Sequence, residues 1–154
     1  MKTNAVRLLE AQNIPFELRQ YEIGEAHFSA EKVAELVGLP PERVFKTLIT
    51  LGDRSGPLLV LMPAGTDLDL RLLAKASNNK KVEMAPLKEV LALTGYERGA
   101  VSPLGTRRKY PTYIEETVEL WDSVAFSAGV KGLQIVMGPE DLIRVTQAQV
   151  APLV

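Results

Sequence analysis

The sequence predicts an α+β domain in which helices flank a mixed β-sheet. Segments with apolar residues at helical spacing are interspersed with short strand-like runs along the whole chain. The late strands follow one another as hairpins, which does not fit the regular strand–helix–strand winding of a parallel sheet. The 154 residues contain no repeat and no linker, and we expect a single domain over residues 1–154.

Two helices and one strand are predicted in the first part of the chain. Residues 4–12 carry apolar side chains at helical spacing, which predicts an amphipathic helix. Residues 16–21 alternate in polarity and predict a half-buried strand, with Phe16 and Leu18 on one face. Ser29 is a typical helix cap, and the apolar stripe that follows it predicts the second helix.

A strand hairpin is predicted next. Residues 44–51 read as one strand, residues 52–56 as a Gly-containing loop, and residues 58–62 as a second strand. The second strand is apolar without interruption, which is typical of a strand at the centre of a sheet. The remaining elements are predicted from the same signals: a helix from Asp69 to about residues 78–79, a short strand at 81–84, a helix between Pro86 and Gly95, strands near 111–115, 123–127 and 133–137, and a final helix from Gly138 to about Val150.

The composition removes several kinds of chemistry. The chain has no cysteine, which excludes disulfides, thiolate nucleophiles and cysteine-based metal sites. Its single histidine, His27, excludes multi-histidine metal sites, and no cluster of aspartates argues for a magnesium site. We therefore expect neither a metal nor a cofactor. His27 precedes a helix, and a lone histidine of this kind is more often incidental than catalytic.

The net charge indicates which nucleic acids the protein could bind, and the hydropathy indicates the cellular compartment in which we expect it. A net charge of −1 is not that of a general duplex-DNA binder, although a protein that grips only the end of a nucleic acid needs few phosphate contacts. No apolar run approaches the ~20 residues needed to span a bilayer, and the N-terminus has no signal-peptide pattern. We expect a cytoplasmic protein without a membrane partner.

Lys46 lies inside the apolar run of residues 44–51, where it shares one face of the strand with Val44 and Leu48. One interpretation is an edge strand whose lysine reaches solvent and discourages pairing with other chains. Buried lysines are scarce, so the pattern alone favours this interpretation. The other interpretation is a lysine that lines a pocket and holds a phosphate or a carboxylate.

Two glycine-rich loops are candidate pocket walls. Residues 95–105 form either an ordinary structural loop or a loop whose N–H groups approach a ligand and stabilise an oxyanion. Residues 127–132 form either a hairpin turn or a second wall in which Ser127 donates a hydrogen bond. The basic triplet at 107–109 is either a solvated turn or a guide for a phosphate backbone.

Seven short motifs identify a family when they are taken together. In chain order they are V-F-K-T-L at 44–48, L-D-L at 68–70, A-K at 74–75, K-K-V-E-M-A at 80–85, G-Y at 95–96, S-P-L-G at 102–105 and G-L at 132–133. Their order and spacing resemble the YbaK/EbsC family over nearly the whole chain. That family is related to the editing domain inserted in bacterial prolyl-tRNA synthetases.

The resemblance implies the fold of that editing domain, with a partly barrel-like sheet, and a trans-editing activity. Members hydrolyse the ester of a mischarged aminoacyl-tRNA, and the YbaK type acts on Cys-tRNA(Pro). The implied catalytic residues are Lys46, which contacts the phosphate at the tRNA 3′ end, and Gly99, whose backbone lies near the scissile carbonyl. The residues implied to bind substrate are Tyr21, Phe28, Thr47, Ala100, Ser102, Pro103, Ser127 and Gln134.

The mechanism implied for the YbaK type suits a chain without cysteine. The thiol of the substrate attacks its own ester carbonyl, and the cyclic product leaves the tRNA. The enzyme then has only to position the ester and stabilise the oxyanion. The implied partners are the aminoacylated tRNA 3′ end and, as an option, a prolyl-tRNA synthetase.

Two residues depart from the YbaK pattern. Ala100 replaces the second of two adjacent glycines, and it would cost ~1 kcal/mol or more if that position needs a positive φ. Gln134 stands where an aspartate is frequent, which removes a charge. Two alternatives therefore stay open: a deacylase for another small amino acid such as Ala-tRNA(Pro), and a non-catalytic tRNA- or synthetase-binding module. A third, a small-molecule phosphate or carboxylate binder, would use Lys46 and the two glycine-rich loops.

Overall fold

The computed structural model describes residues 2–24 and 28–154. Five α-helices lie in this part of the chain: α1 (Asn4–Ala11), α2 (Ala30–Val37), α3 (Leu70–Ala76), α4 (Val90–Thr94) and α5 (Pro139–Thr146). Eight strands accompany them: β1 (Glu17–Gln20), β2 (Val44–Gly52), β3 (Gly56–Pro63), β4 (Val82–Met84), β5 (Thr112–Glu115), β6 (Val124–Ser127), β7 (Leu133–Met137) and β8 (Gln149–Ala151). Short 3₁₀ helices precede β2 and α4 and follow β5: Pro41–Arg43, Leu87–Glu89 and Glu116–Leu120.

All eight strands belong to one mixed sheet. The strand order is β1-β7-β6-β2-β3-β5-β8, and β4 pairs with β2 beside this path. β2 and β3 form an antiparallel hairpin, whereas β2–β6, β3–β5 and β5–β8 are parallel pairs. This architecture confirms the predicted α+β class with a mixed sheet. No pairing joins β1 to β8 in the described part of the chain, so the sheet stays open at these two ends.

β3 lies at the centre of the core, as its continuous apolar sequence predicts. Residues 58–62 are each at most 1% exposed. Leu61 packs with side chains of α1 and α5 on one face, and Val60 packs with α3 on the other. Full burial of one such side chain stabilises the fold by roughly 1.5–3 kcal/mol. The two helical layers therefore fix β3, and β3 in turn fixes the antiparallel β2 beside it.

Side-chain caps set the starts of three helices. The Thr3 and Ser29 hydroxyl oxygens accept backbone N–H groups at the starts of α1 and α2, and an Asp69 carboxylate oxygen does the same for α3. Each such cap is worth ~1 kcal/mol. The predicted cap at Ser29 and the predicted start of a helix at Asp69 are confirmed. α2 places its apolar stripe, which includes Val33 and Val37, over β2, β6 and β7.

The predicted final helix to about Val150 is too long. α5 ends at Thr146 because Gln147 takes a left-handed φ of 55°. The Ala148 N–H then donates to the Ile143 carbonyl and closes the helix end. The chain continues into β8, which pairs with β5. The predicted helix extends over the first residues of this strand.

Two further predictions need adjustment. The helix predicted between Pro86 and Gly95 begins as the 3₁₀ turn Leu87–Glu89 and is α-helical only over α4. Leu18 is 40% exposed, because β1 is the last strand at one end of the sheet and one of its faces lacks a full cover. Within residues 2–24 and 28–154, no helix is both long and apolar enough to cross a bilayer.

Candidate functional site

β2 has different neighbours along its length, and this divides the sheet. β6 pairs with Val44 and Phe45 at its start, whereas β4 pairs with residues 50–52 at its end. Residues 46–48 therefore have β3 on one side and an opening on the other. Lys46 lies in this stretch. Its interpretation as an edge-strand lysine is wrong, because β2 is an interior strand that borders a gap between two partner strands.

The opening exposes backbone groups of Thr47. The Ala85 N–H donates to the Ile49 carbonyl at 3.1 Å, so the peptide groups of Ile49 point away from β3. Alternate residues of a strand point the same way, and the N–H and carbonyl of Thr47 therefore face the opening. The Thr47 hydroxyl oxygen is buried and has no partner among the described residues. Thr47 thus presents unsatisfied hydrogen-bonding groups at the base of a cavity.

A cavity of about 270 Å³ fills this opening. It is lined by residues of β2 and α2, by Tyr21 and Phe28, and by residues of α4 and the loop after it. The lining residues are Tyr21, Phe28, Ser29, Ala30, Val33, Val44, Phe45, Lys46, Thr47, Leu48, Ile49, Met84, Ala85, Leu87, Val90, Arg98, Gly99, Val101, Ser127 and Gln134. A mostly apolar cavity with few polar groups is typical of a small-ligand site.

Lys46 supplies a positive charge to this cavity. Its Nζ donates a hydrogen bond of 2.6 Å to the carbonyl oxygen of Thr66, in the turn after β3. The Thr66 hydroxyl in turn donates to the Pro63 carbonyl at 2.6 Å, which fixes that turn. A lysine ammonium has three N–H donors, so two remain for a ligand. No carboxylate of the described residues pairs with Lys46.

The loop between α4 and β5 is held by buried hydrogen bonds. The Tyr96 hydroxyl donates to the Leu104 carbonyl at 2.7 Å. Burial raises the pKa of Tyr96, so the phenol stays protonated and remains a donor at neutral pH. The Ser127 hydroxyl donates to the Ala100 carbonyl at 2.9 Å and accepts the Gly129 N–H at 3.1 Å. The two predicted glycine-rich walls are therefore joined to each other through Ser127.

Gly99 is exposed and lines the cavity with a φ of +85°. A residue with a side chain would be strained there, so glycine suits this position. No described residue accepts the N–H of Gly99 or of Val101. The Ala100 N–H, by contrast, donates to the Glu97 carbonyl at 2.9 Å. Gly99 and Val101 therefore have N–H groups that a ligand can accept.

Ala100 does not carry the strain that its replacement of a glycine suggested, because its φ is not positive. Three predicted substrate-binding residues, Ala100, Ser102 and Pro103, are buried and do not line the cavity. The Ser102 hydroxyl oxygen lies 3.4 Å from the Leu104 N–H that it accepts. These three residues are buried inside the loop, and the structure does not bring them to the cavity.

The other predicted site residues converge on the cavity. They come from separate elements, and they are Tyr21, Phe28, Lys46, Thr47, Gly99, Ser127 and Gln134. The rings of Tyr21 and Phe28 lie 6.4 Å apart and are tilted by 48°. The Oε1 atom of Gln134 is buried without a hydrogen-bond partner among the described residues. His27 lies outside the described residues.

Sequence reasoning did not single out several lining residues. Arg98 is the most informative, because it adds an exposed cation directly before Gly99. Met84, from the predicted short strand, and Leu87 and Val90, from the predicted helix after it, also line the cavity, and neither pattern indicated this role. Among residues 2–24 and 28–154, no group of three or more His, Asp or Glu side chains could hold a metal ion.

Comparison with known proteins identifies the fold and its relatives. The model of the family described as the aminoacyl-tRNA editing domain matches residues 25–145. A solved structure provisionally described as a trans-editing enzyme for prolyl-tRNA synthetase has a TM-score of 0.85 at 25% identity, covering 99% of this chain and 98% of that one.

Two curated relatives link the chain to tRNA chemistry. EbsC of Enterococcus faecalis, provisionally named a Cys-tRNA(Pro)/Cys-tRNA(Cys) deacylase, is 43% identical over 152 residues, which cover 99% of this chain and 93% of EbsC. A proline–tRNA ligase of Thermodesulfovibrio yellowstonii is 30% identical over 81 residues, which are 53% of this chain and 14% of the ligase. These similarities confirm the family resemblance that the ordered motifs predicted.

Proposed function

Because the chain belongs to the aminoacyl-tRNA editing domain family, we propose that it is a trans-editing deacylase that hydrolyses the ester of mischarged tRNA. The observation that carries this proposal is the ammonium of Lys46 at the base of a mostly apolar cavity, where it pairs with no carboxylate of the described residues. Cys-tRNA(Pro) is the proposed substrate, since EbsC, the relative named for that activity, is 43% identical over nearly the whole chain. The site of action that we propose is the cytoplasm.

Lys46 is proposed to anchor the substrate rather than to react with it. Two of its N–H donors are available to the phosphate that precedes the terminal adenosine, while the third stays on Thr66. A phosphate held in this way fixes the ester relative to the cavity. Fixing the reacting groups can supply a large share of a rate enhancement, because it removes translational and rotational freedom before the reaction.

The N–H groups of Gly99 and Val101, which no described residue accepts, are proposed to bind the ester carbonyl oxygen. Both residues line the same cavity as Lys46 and belong to the loop after α4. Preorganised donors stabilise the negative charge that develops on this oxygen, and the loss of one such donor typically costs about 10²–10³-fold in rate. The bond between Ser127 and Ala100 keeps this part of the loop in place.

The nucleophile that we propose is the thiol of the cysteinyl substrate. Its sulfur forms a bond to the ester carbon, the bond from that carbon to the ribose oxygen breaks, and the thiol proton ends on the ribose hydroxyl. The product is a cyclic thioester that water then opens to cysteine. This path needs no nucleophile from the chain, which has no cysteine. The Ser127 oxygen keeps one acceptor position, which suits the α-ammonium of the amino acid.

A prolyl-tRNA synthetase is a proposed partner. Its support is the similarity of 81 residues to part of a proline–tRNA ligase and the structure described as a trans-editing enzyme for that synthetase. We also propose that residues 1–154 form one editing domain. The family model covers residues 25–145 of it.

A second candidate is a non-catalytic tRNA-binding module of the same fold. It is favoured by Gln134, which replaces a frequent aspartate and leaves its Oε1 atom buried without a partner among the described residues. Ala100 no longer favours it, because that residue is unstrained and its side chain lies outside the cavity.

A panel of charged tRNAs separates these possibilities. Deacylation is measured on Cys-tRNA(Pro), Ala-tRNA(Pro) and S-methylcysteinyl-tRNA(Pro), the last of which has no free thiol. We expect turnover of the cysteinyl ester only. Turnover of the S-methylcysteinyl ester at the same rate would contradict the thiol mechanism. Binding of tRNA(Pro) without turnover of any ester would support the non-catalytic module.

A further inference from the structure

Three exposed apolar side chains lie beside the mouth of the cavity and form what we call the apolar rim. They are Met84, Leu87 and Leu91, which are 46%, 61% and 52% exposed. Met84 and Leu87 also line the cavity, and Leu91 follows Val90, another lining residue, one turn after Leu87. A single exposed leucine needs no explanation, but a contiguous set that continues a binding cavity indicates an interaction surface.

The rim lies in the most basic part of the chain. Residues 80–109 contain seven basic and three acidic residues, a net charge of +4. The whole chain has a net charge of −1, so the remaining residues carry −5. All four ion pairs of the described residues lie outside this segment. Its basic residues are therefore not neutralised by neighbouring carboxylates, and they favour an anionic partner.

Basic side chains flank the rim along α4. Lys88 directly follows Leu87 in the 3₁₀ turn before the helix. At the other end, the Arg107 N–H donates to the Thr94 carbonyl, and the Arg107 Cβ packs against Gly95, about 3.5 Å from where a Gly95 Cβ would lie. Arg98 lines the cavity itself. Basic residues thus lie before α4, after it and in the cavity lining.

On the premise of the proposed function, we infer that the apolar rim and its flanking cations bind the unpaired 3′ nucleotides of the tRNA. An ester held inside the cavity obliges the preceding nucleotides to cross the mouth of that cavity. Unpaired nucleotides present apolar base faces and charged phosphates in alternation. Bases contact Met84, Leu87 and Leu91, and phosphates approach Lys88, Arg107 and Arg108. This surface therefore recognises single-stranded RNA by its chemistry and not by its sequence.

Substrate length tests this inference. Leu91→Ser changes the rim without touching the lining of the cavity, and Leu120→Ser is the matched control at a leucine that is 73% exposed and does not line the cavity. Deacylation is measured on Cys-tRNA(Pro) and on cysteinyl-adenosine, which has the ester but no preceding nucleotides. For Leu91→Ser, we expect KM to rise about fivefold on the tRNA and to stay unchanged on cysteinyl-adenosine. Leu120→Ser should match the wild type on both.

The salt dependence of tRNA binding tests whether the basic side chains beside the rim contact phosphates. Arg107→Gln combined with Arg108→Gln should weaken binding of uncharged tRNA(Pro) and lower the slope of log K against log salt by about 0.7 for each phosphate that the variant no longer neutralises. Arg71→Gln, at an exposed arginine of α3 outside the basic segment, is the control and should leave the slope unchanged. A tRNA without its unpaired 3′ nucleotides should bind the wild type and Leu91→Ser equally.

Several outcomes would overturn the inference. One is an equal effect of Leu91→Ser on the tRNA and on cysteinyl-adenosine, which would assign the leucine to the cavity. Another is unchanged tRNA binding together with weakened binding to prolyl-tRNA synthetase, which would make the rim a protein-docking surface. Inactivity of the wild type on all esters would instead refute the proposed deacylase, and the binding measurements on intact and shortened tRNA would still decide the role of the rim.

Discussion

The ammonium group of Lys46 donates a hydrogen bond of 2.6 Å to the carbonyl oxygen of Thr66. This bond joins the floor of the cavity to the turn after β3, and it holds a flexible side chain in one position. The ammonium of Lys46 is therefore held in one position for a ligand. The side chain of a lysine that only extends into solvent would not be held in this way. The bond also explains how a cation can lie in a mostly apolar cavity with no carboxylate partner among the described residues.

The first prediction concerns Lys46→Arg, which keeps the charge and changes its shape. A guanidinium is planar and longer, so it cannot hold both Thr66 and a phosphate in the positions that a compact ammonium reaches. We expect the variant to bind tRNA(Pro) as the wild type does but to lose about 10²-fold in kcat, since a misplaced substrate reacts slowly. Single-turnover deacylation and a filter-binding assay measure the two effects. An undiminished kcat would show that charge alone is sufficient.

The second prediction concerns the bridge between the two loops. Ser127→Ala removes the donor to the Ala100 carbonyl and the acceptor of the Gly129 N–H. Leaving such groups unsatisfied should lower the free energy of unfolding by about 1–3 kcal/mol and should also lower kcat, because the loop then moves. Urea denaturation and steady-state kinetics measure both. Thr106→Ala, at an exposed hydroxyl of the same loop region, is the control and should change stability by no more than about 0.5 kcal/mol.

The third prediction concerns the contact of Gly129 with Tyr96. Gly129 has a φ of +103°, and a Cβ added there would lie 2.5 Å from Cε1 of Tyr96. Gly129→Ala should therefore lower the free energy of unfolding, measured in urea, by about 2–4 kcal/mol, because backbone strain and overpacking add. Gly56→Ala is the matched control, since Gly56 has a φ of +77° but nothing within 4 Å of the added atom. It should cost only ~1 kcal/mol, and equal losses in the two variants would refute the clash.

The fourth prediction concerns pH and Glu115. Burial opposes ionisation of this carboxylate, but hydrogen bonds from the N–H groups of Thr117 and Leu153, at 2.8 and 3.1 Å, outweigh it and lower its pKa. A carboxylate whose pKa is lowered by folding stabilises the fold above its unfolded pKa, and this contribution is lost as the pH falls through the folded pKa. Stability should therefore decline below about pH 4.5.

Glu115→Gln isolates this contribution. The amide keeps the shape of the side chain but does not titrate, so the variant should be less stable than the wild type at pH 7 and closer to it at pH 3. Urea denaturation of both proteins across this pH range measures the difference. A difference in stability that stays constant with pH would contradict the assignment to Glu115.

Much of the fold could be predicted because its signals are local. The caps at Ser29 and Asp69 and the apolar run at residues 58–62 each depend on a few neighbouring residues. β8 was not predicted, because its first residues fall within the predicted final helix and the strand is defined by its pairing with β5. Gln147 takes a left-handed φ between α5 and β8. This conformation is typical of glycine, so a glutamine at this position did not indicate the end of the helix.

The position of Lys46 in the sheet could not be predicted for a related reason. Periodicity places Lys46 on one face of β2, and the structure agrees. Whether β2 is an edge strand depends on β6 and β4, whose paired residues Phe126 and Met84 lie far along the chain. The ordered motifs, unlike the periodicity, indicated that Lys46 lines a pocket, because they identified the family. The burial of Ala100, Ser102 and Pro103 depends on hydrogen bonds within the loop, which no motif specifies.

The role of Lys46 is tested most sharply by single-turnover deacylation of Cys-tRNA(Pro) with the wild type, Lys46→Ala and Lys2→Ala. Lys2 is an exposed lysine paired with Glu10, so its variant controls for the loss of one positive charge. We expect rapid release of cysteine by the wild type and by Lys2→Ala, and a loss of about 10²-fold or more in Lys46→Ala. Release at the wild-type rate by Lys46→Ala would show that the reaction does not depend on this lysine.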